Sequence, residues 1–306
     1  MGIVVIGAVF VDIKGFPNEA YIPDGRNAGR VEYVHGGVSR NVVEDIANME
    51  LRPTFISTIE DTAIGKDVVE KLYRHKVNVD YIKSVPDGMG TWLAVFDSNG
   101  NVAGSISKRP DVYHILTILE EHGDEIFKDC DSVIFELDLH KDTVKKIFEL
   151  AKKYNKKTYA LVSNMSIAME RRDFFQELDC FICNEQEAGM LFLDDYSETD
   201  PEEMKDILAD KIKSANISSM IVTMGGKGAV YADKDGSRGA VPAKRVAVKD
   251  TTGAGDAFCA GAMSGLTYGK SLEEAIQIGN TLAASVIVSL ENVCPRFRPE
   301  EFGIEI

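Results

Sequence analysis

Short β-rich runs alternate along this chain with stretches of helical length, and that alternation limits the fold more than any other feature. The runs are "GIVVIG" (2–7), "TFIST" (54–58), "SVIFEL" (132–137), "TYALV" (158–162), "CFIC" (180–183) and "MIVTM" (220–224). Residues 39–50, 141–154, 201–214 and 271–290 between and after them read as helices. In the second of these, Val144, Ile147, Phe148 and Ala151 fall on one stripe, as a helix packed on a core requires. Ser39 is placed to cap the first. A strand followed by a helix and another strand is the unit of a parallel sheet covered on both faces. The pattern therefore predicts an α/β fold: a three-layer, doubly wound, mainly parallel sheet, with ligands beyond the carboxyl ends of its strands.

Two regions interrupt the rhythm. Residues 14–35 hold Gly, Pro and Asn among short extended pieces, and residues 91–107 carry two strand-like runs around Ser-Asn-Gly-Asn, a hairpin signal. Neither has a helix of its own. Pieces of about 14–35 and 90–108 are predicted to form a small β-sheet lid inserted in a single domain spanning 1–306. An ordinary surface hairpin is the plainer alternative. The exposed edges of such a sheet suit either a monomer or a homodimer joined through the lid.

Composition narrows the class. With 306 residues, 44% of them hydrophobic and 27% charged, the chain can bury a large core. A net charge of −15 argues against a general nucleic-acid surface. The opening "MGIVVIGAVFVDI" has no basic leader and meets Asp12 early, so it reads as a buried strand rather than a signal peptide. No apolar run has membrane-spanning length. Five cysteines, an odd count without an export signal, indicate reduced thiols and a cytoplasmic location. Cys180 and Cys183 have metal-ligand spacing, but they sit in an apolar run without a second pair and read as buried strand.

The chemistry concentrates in "DTTGAGDAF" (250–258). Gly253 and Gly255 free the backbone, and the apolar run that follows is helical in length, with Ala257, Gly261 and Gly265 making one bare face. Free amides of Gly253, Ala254 and Gly255 at a helix N-terminus would bind an anion, phosphate above all. Asp256 would repel that anion, which makes sense where it takes a proton from a nucleophile attacking a phosphate. The plainer alternative is an acid stabilising the helix dipole. Elsewhere, Asp12 can hold neighbouring hydroxyls, Gly36 and Gly37 let backbone approach a ligand, and Asn41 offers donor and acceptor. Asn184 and Glu187 follow a buried strand and suit magnesium and its waters, or simply start a helix. "GGKG" is not a P-loop, and "GAVFVD" after the first strand is not a dinucleotide fingerprint.

Taken whole, "DTTGAGDAF" resembles the C-terminal signature of the pfkB (ribokinase-like) carbohydrate kinase family. Further matches occur in order: "GAVFVD" (7–12), "HGGVSRN" (35–41), "NEQE" (184–187), "VTMGGKGAVY" (222–231) and Asn280. The resemblance implies transfer of the ATP γ-phosphoryl to a primary hydroxyl of a sugar or nucleoside, with Mg2+. It makes Asp256 the general base and the amides of Gly253, Ala254 and Gly255 the phosphoryl cradle. Asp12, Gly36, Gly37 and Asn41 would hold the acceptor; Asn184, Thr223, Gly225, Gly228 and Asn280 the nucleotide; Glu187 the magnesium through water. Asp250 and Thr252 match positions that hold a monovalent cation, K+, in some relatives. "SLENVCPRF" (289–297) departs from the family's small-residue loop, and "SNMSIAMERR" (163–172) lacks a common Asp-Pro or Asn-Pro. "GGVSRN" with "VVEDIANM" is similar to the sugar and nucleoside branch, pseudouridine kinases included. Trp92 and Tyr33 are placed to stack on a base or sugar, or to pack the lid. Lys14, Arg26, Arg30, Arg40, Lys108 and Arg109 leave open a sugar-phosphate acceptor, and a non-catalytic sugar or nucleotide sensor is the rival from another class.

Overall fold

The computed structural model describes residues 2–305. β1 (Val4–Ile6) opens the main layer, which the chain then leaves through β2 (Phe10–Pro17) and β3 (Gly29–Gly36). It returns through α1 (Val38–Asn48), β4 (Thr54–Ile59), α2 (Ala63–Arg74) and β5 (Ile82–Ser84), then leaves again through β6 (Gly90–Phe96) and β7 (Val102–Lys108). Alternation follows: α3 (His114–Asp129), β8 (Ser132–Glu136), α4 (Lys141–Tyr154), β9 (Lys157–Leu161), α5 (Met165–Met169), β10 (Cys180–Asn184), α6 (Glu185–Phe192), α7 (Pro201–Ala215) and β11 (Ser219–Thr223). The hairpin β12 (Ala229–Asp233) and β13 (Arg238–Val241) precedes α8 (Ala254–Thr267) and α9 (Leu272–Ile287).

The nine-stranded sheet runs β13-β12-β11-β10-β9-β8-β1-β4-β5. From β11 to β5 every pairing is parallel, and only β12 and β13 are antiparallel. Alternate residues of each strand face opposite layers. Val5 joins a core with Val42 and Ile46 of α1, Ala260 of α8 and Ile276 of α9. Val4 and Ile6 join another with Leu119 of α3, Ile147 of α4 and Leu208 of α7. This is the predicted three-layer, doubly wound sheet. The bare face of α8 meets α9: a Cβ at Gly261 would stand 3.0 Å from the Gly279 Cα, so the helices touch through backbone.

The second sheet has the order β3-β2-β6-β7, with the outer pairs antiparallel and β2–β6 parallel. It corresponds to the two segments expected as a lid, with one correction. The opening run is not one buried strand ending at Asp12. β1 stops at Ile6, and Asp12 lies on β2 in the small sheet. The break falls at Gly7, where a Cβ would stand 2.0 Å from Ser39 Oγ and 2.6 Å from Glu136 Oε1. Backbone passes between α1 and β8 only without a side chain. Register also separates the two aromatics of the small sheet. Asp12 pairs with Val34 and Trp92, so Trp92 shares its face, while Tyr33 and Leu93 pair with Ile13 on the other. Tyr33 is therefore turned away from Asp12.

Candidate active site

The site begins at the α8 N-terminus. Gly253 caps it at φ 81°, a left-handed conformation that suits glycine. Asp250 Oδ1 accepts from the Thr252 amide at 2.8 Å, which holds that carboxyl below its ordinary range. Of the three amides expected to be free, Ala254 is engaged: its N–H donates to the Thr251 carbonyl at 3.2 Å as the turn enters the helix. The Gly253 and Gly255 amides donate to no protein group among the described residues. A Cβ at Gly255 would meet open space, so the cradle faces room for a ligand.

Asp256 stands in the first turn of α8, its carboxylate accepting from Asn41 Nδ2 at 2.6 Å. Protein surrounds it on most sides, and burial pushes its pKa up to about 6; the Asn41 bond and Arg40 oppose the shift, while Asp12 and Glu187 add to it. Asp12 sits close by, also raised by burial against the pull of Lys14 and Arg40. Gly36 is the gap beside it, since a Cβ there would stand 2.4 Å from Asp12 Oδ1. Gly37, at φ 100°, packs on the Ala8 carbonyl. The structure thus brings Asp12, Gly36, Gly37, Asn41 and Asp256 into one cluster where the small sheet meets the main one.

Sequence reasoning missed what orients Asn41. Its Oδ1 accepts from the buried Arg40 guanidinium and, at 3.2 Å, from Asn292 Nδ2. With the oxygen so held, the amide nitrogen faces Asp256. Asn292 also donates to the His35 carbonyl at 3.0 Å. Its segment is clamped to α1, with Asp45 Oδ1 accepting from the Cys294 amide at 2.6 Å and Asn48 Nδ2 donating to the Cys294 carbonyl at 2.7 Å. The departure of 289–297 from the family loop is the place where these anchors enter. Asn292→Ala is expected to lower kcat about tenfold, the effect of one net hydrogen bond of ~1–1.5 kcal/mol. The acid limb of its pH–rate profile should move with it; an unchanged kcat and an unmoved limb would show that the contact is only structural.

Glu136 and Asp138 were also missed. Both are carboxylates inside an apolar run, which is the informative kind of exception. Glu136 Oε1 accepts from the Ala8 amide at 3.2 Å and the Ser39 amide at 3.3 Å, and burial together with Asp138 raises its pKa.

The residues expected on the nucleotide side form a separate group. Asn184 and Thr223 are register partners on β10 and β11. "NEQE" makes a capping box: Asn184 Oδ1 accepts from the Glu187 amide at 2.8 Å, and Glu187 Oε2 from the Asn184 amide at 2.9 Å. Burial raises Glu187, whose charge reaches Asp256. Gly225 and Gly228 take positive φ, Gly228 packs against the Val241 carbonyl, and Asn280 Nδ2 donates to the Pro242 carbonyl at 3.1 Å. Among the described residues no three His, Cys, Asp or Glu side chains gather as a metal cage. A lone carboxylate such as Glu187 fits Mg2+ held mostly by phosphate and water. Cys180 and Cys183 are buried strand thiols, raised by burial. Among the described residues, no helix is long and apolar enough to cross a membrane.

A doubly wound sheet, a second, smaller sheet, and an acid at an amide-lined helix mouth define a sugar-kinase architecture. Residues 2–292 match the pfkB family carbohydrate kinase domain, and the chain belongs to that family. It is 35% identical to a guanosine-inosine kinase of Exiguobacterium acetylicum over 95% of each chain. A pseudouridine kinase of Escherichia coli is 22% identical over 90% of this chain and 87% of its own. Among solved structures, the ribokinase of Arabidopsis thaliana complexed with ribose and ATP superposes with a TM-score of 0.82 at 19% identity, covering 96% of both chains. The protein is a kinase with the ribokinase-like fold.

Proposed function

We propose that this kinase transfers the γ-phosphoryl of ATP to the 5′-hydroxyl of a purine nucleoside of the guanosine and inosine type. The observation that carries the chemistry is Asp256 held by Asn41 at the mouth of α8. The acceptor class is supported by the similarity to the guanosine-inosine kinase across nearly the whole chain. The acceptor's ribose lies against Asp12, Gly36, Gly37 and Asn41, under the lid formed by the small sheet. Asp256 takes the hydroxyl proton as that oxygen attacks the γ-phosphorus and the bond to the β-phosphate oxygen breaks, leaving ADP. The amides of Gly253 and Gly255 meet the charge that develops on the transferring group. Asn184, Thr223, Gly225, Gly228 and Asn280 line the nucleotide, and the Asp250–Thr252 turn is the candidate for a monovalent cation. Mg2+, when bound, would offset charge on the phosphates, and Glu187 is the residue that would help to hold it.

A sugar phosphate has less support as acceptor: Lys14 and Arg26 have no ion pair among the described residues and Arg109 spends one nitrogen on Asp138, but the other cations named for that role are matched. Arg30 pairs with Glu32, Arg40 with Glu44, Lys108 with Asp87 and Arg109 with Asp138. A coupled ADP-release assay over inosine, guanosine, adenosine, pseudouridine, ribose and fructose 6-phosphate tests the acceptor. Turnover of inosine and guanosine is expected, and its absence would overturn the assignment. The pH dependence has a definite sign. A base must be ionised to act, so kcat/KM should rise as pH passes upward through about 6 and level off above it, following Asp256. A profile flat from pH 5 to pH 8 would remove Asp256 from the proton transfer.

A further inference from the structure

Beside the acceptor cluster lies a cavity of about 240 Å³ with no assigned role, lined in part by Ala8, Arg109, Tyr113, Glu136, Asp138 and Arg171. It adjoins the cluster directly. Glu136 Oε1 holds both the Ala8 amide and the amide of Ser39, which stands two residues before Asn41 on α1. The volume is below the ~300–1,000 Å³ that houses a whole drug-sized ligand, so it suits one ring system of a larger molecule. An acceptor whose ribose occupies the neighbouring cluster must send its base somewhere, and this cavity is next to it.

Arg109 supplies the chemistry. Its Nη2 donates to Asp138 Oδ2 at 2.9 Å and to the Asp138 carbonyl at 3.3 Å. Asp138 is itself fixed by the Ser163 amide at 3.1 Å and the Ser163 hydroxyl at 2.8 Å. The guanidinium is thereby aimed, yet 41% of the side chain stays exposed. Its Nε and Nη1 have no partner among the described residues; Arg171, across the cavity, turns its Nη1 to the Leu137 and Leu139 carbonyls. Arg carries donors only and does not lose its charge. A 6-oxopurine offers two adjacent acceptors, O6 and N7; adenine replaces the first with an amino donor. The ring of Tyr113, half exposed and edge-on to His140 at 5.4 Å, gives the cavity an aromatic wall.

We propose that Arg109, held by Asp138, reads the O6/N7 edge of a 6-oxopurine base in this cavity and sets the preference for inosine- and guanosine-type acceptors over adenosine. The inference rests on the nucleoside assignment above. Its test measures kcat/KM for inosine, 7-deazainosine and adenosine with the wild-type protein and with Arg109→Gln. The wild type should prefer inosine to adenosine, and should lose about tenfold on 7-deazainosine, which lacks the N7 acceptor. Arg109→Gln should lower kcat/KM for inosine about 10–100-fold and raise adenosine relative to it, since a carboxamide pairs with the N6/N7 edge of adenine. The KM for ATP reports that the variant is folded. The deaza comparison needs no variant at all. If inosine is a good substrate but 7-deazainosine equals it and Arg109→Gln leaves the inosine-to-adenosine ratio unmoved, the role of Arg109 is wrong while the nucleoside assignment stands. If the wild type phosphorylates no nucleoside, both fall.

Discussion

Asp256→Asn should lower kcat by about 10²–10⁴, the range for loss of a general base, while leaving the KM for ATP close to that of the parent. The substitution is nearly isosteric, and the Asn41 amide can still donate to the new carboxamide oxygen, so the local geometry survives. What is lost is the carboxylate proposed to take the proton. The acid limb of the rate profile should vanish with it. Stability supplies an independent control of known sign. The folded-state pKa of Asp256 is raised to about 6 from an ordinary value of 3.8. The native protein therefore favours the protonated acid, and stability is lost as pH rises from 3.8 to about 6, with no further loss above that. Asn cannot ionise, so the variant should gain on the parent above pH 6, and that gain should shrink below pH 6 and vanish only towards pH 4. Near-normal turnover in a folded variant would remove Asp256 from the mechanism.

The layers of the fold were legible because burial imposes period. Runs such as "SVIFEL" and the stripe of 141–154 are buried on two faces and one face respectively, and each became the predicted element. The hairpin of the small sheet was legible from turn chemistry: Asp97 Oδ1 accepts from the Asn99 and Asn101 amides at the tip of β6–β7. Asp12 was misplaced because an apolar run does not reveal where it changes sheets. That change is set at Gly7 by Ser39 and Glu136, side chains far away in sequence. Asp12, Gly36, Gly37, Asn41 and Asp256, each within a local motif, were singled out from the sequence and lie together in the structure. Asn292, Glu136, Asp138 and the pairing of Arg109 were not, since their roles exist only through contacts across 25 to 257 residues of chain. "NEQE" and the Ala254 amide show the converse. Both have local hydrogen-bonding duties at helix starts, whatever they do with a ligand.

Gly253→Ala should cut kcat by at least about 10²-fold, although it adds one methyl group and changes no charge. Two separate effects coincide there. A left-handed conformation at φ 81° costs an L-residue about 1–2 kcal/mol. The new Cβ would also stand 2.1 Å from the Asn292 carbonyl oxygen and 2.7 Å from its carbon, well inside contact distance. Relief by a shift of 289–294 is opposed by Asp45 and Asn48, which hold Cys294 to α1, and by Asn292 itself, which holds Asn41 and His35. Whichever side yields, either the phosphoryl cradle moves relative to Asp256 or Asn41 moves relative to it. A displacement of about 1 Å between reacting groups is enough to lose about 10² in rate. The loss should appear in kcat for every acceptor, unlike that of Arg109→Gln, which depends on the base. Wild-type turnover with an unchanged melting temperature would show that the contact between 253 and 292 does not position the catalytic groups.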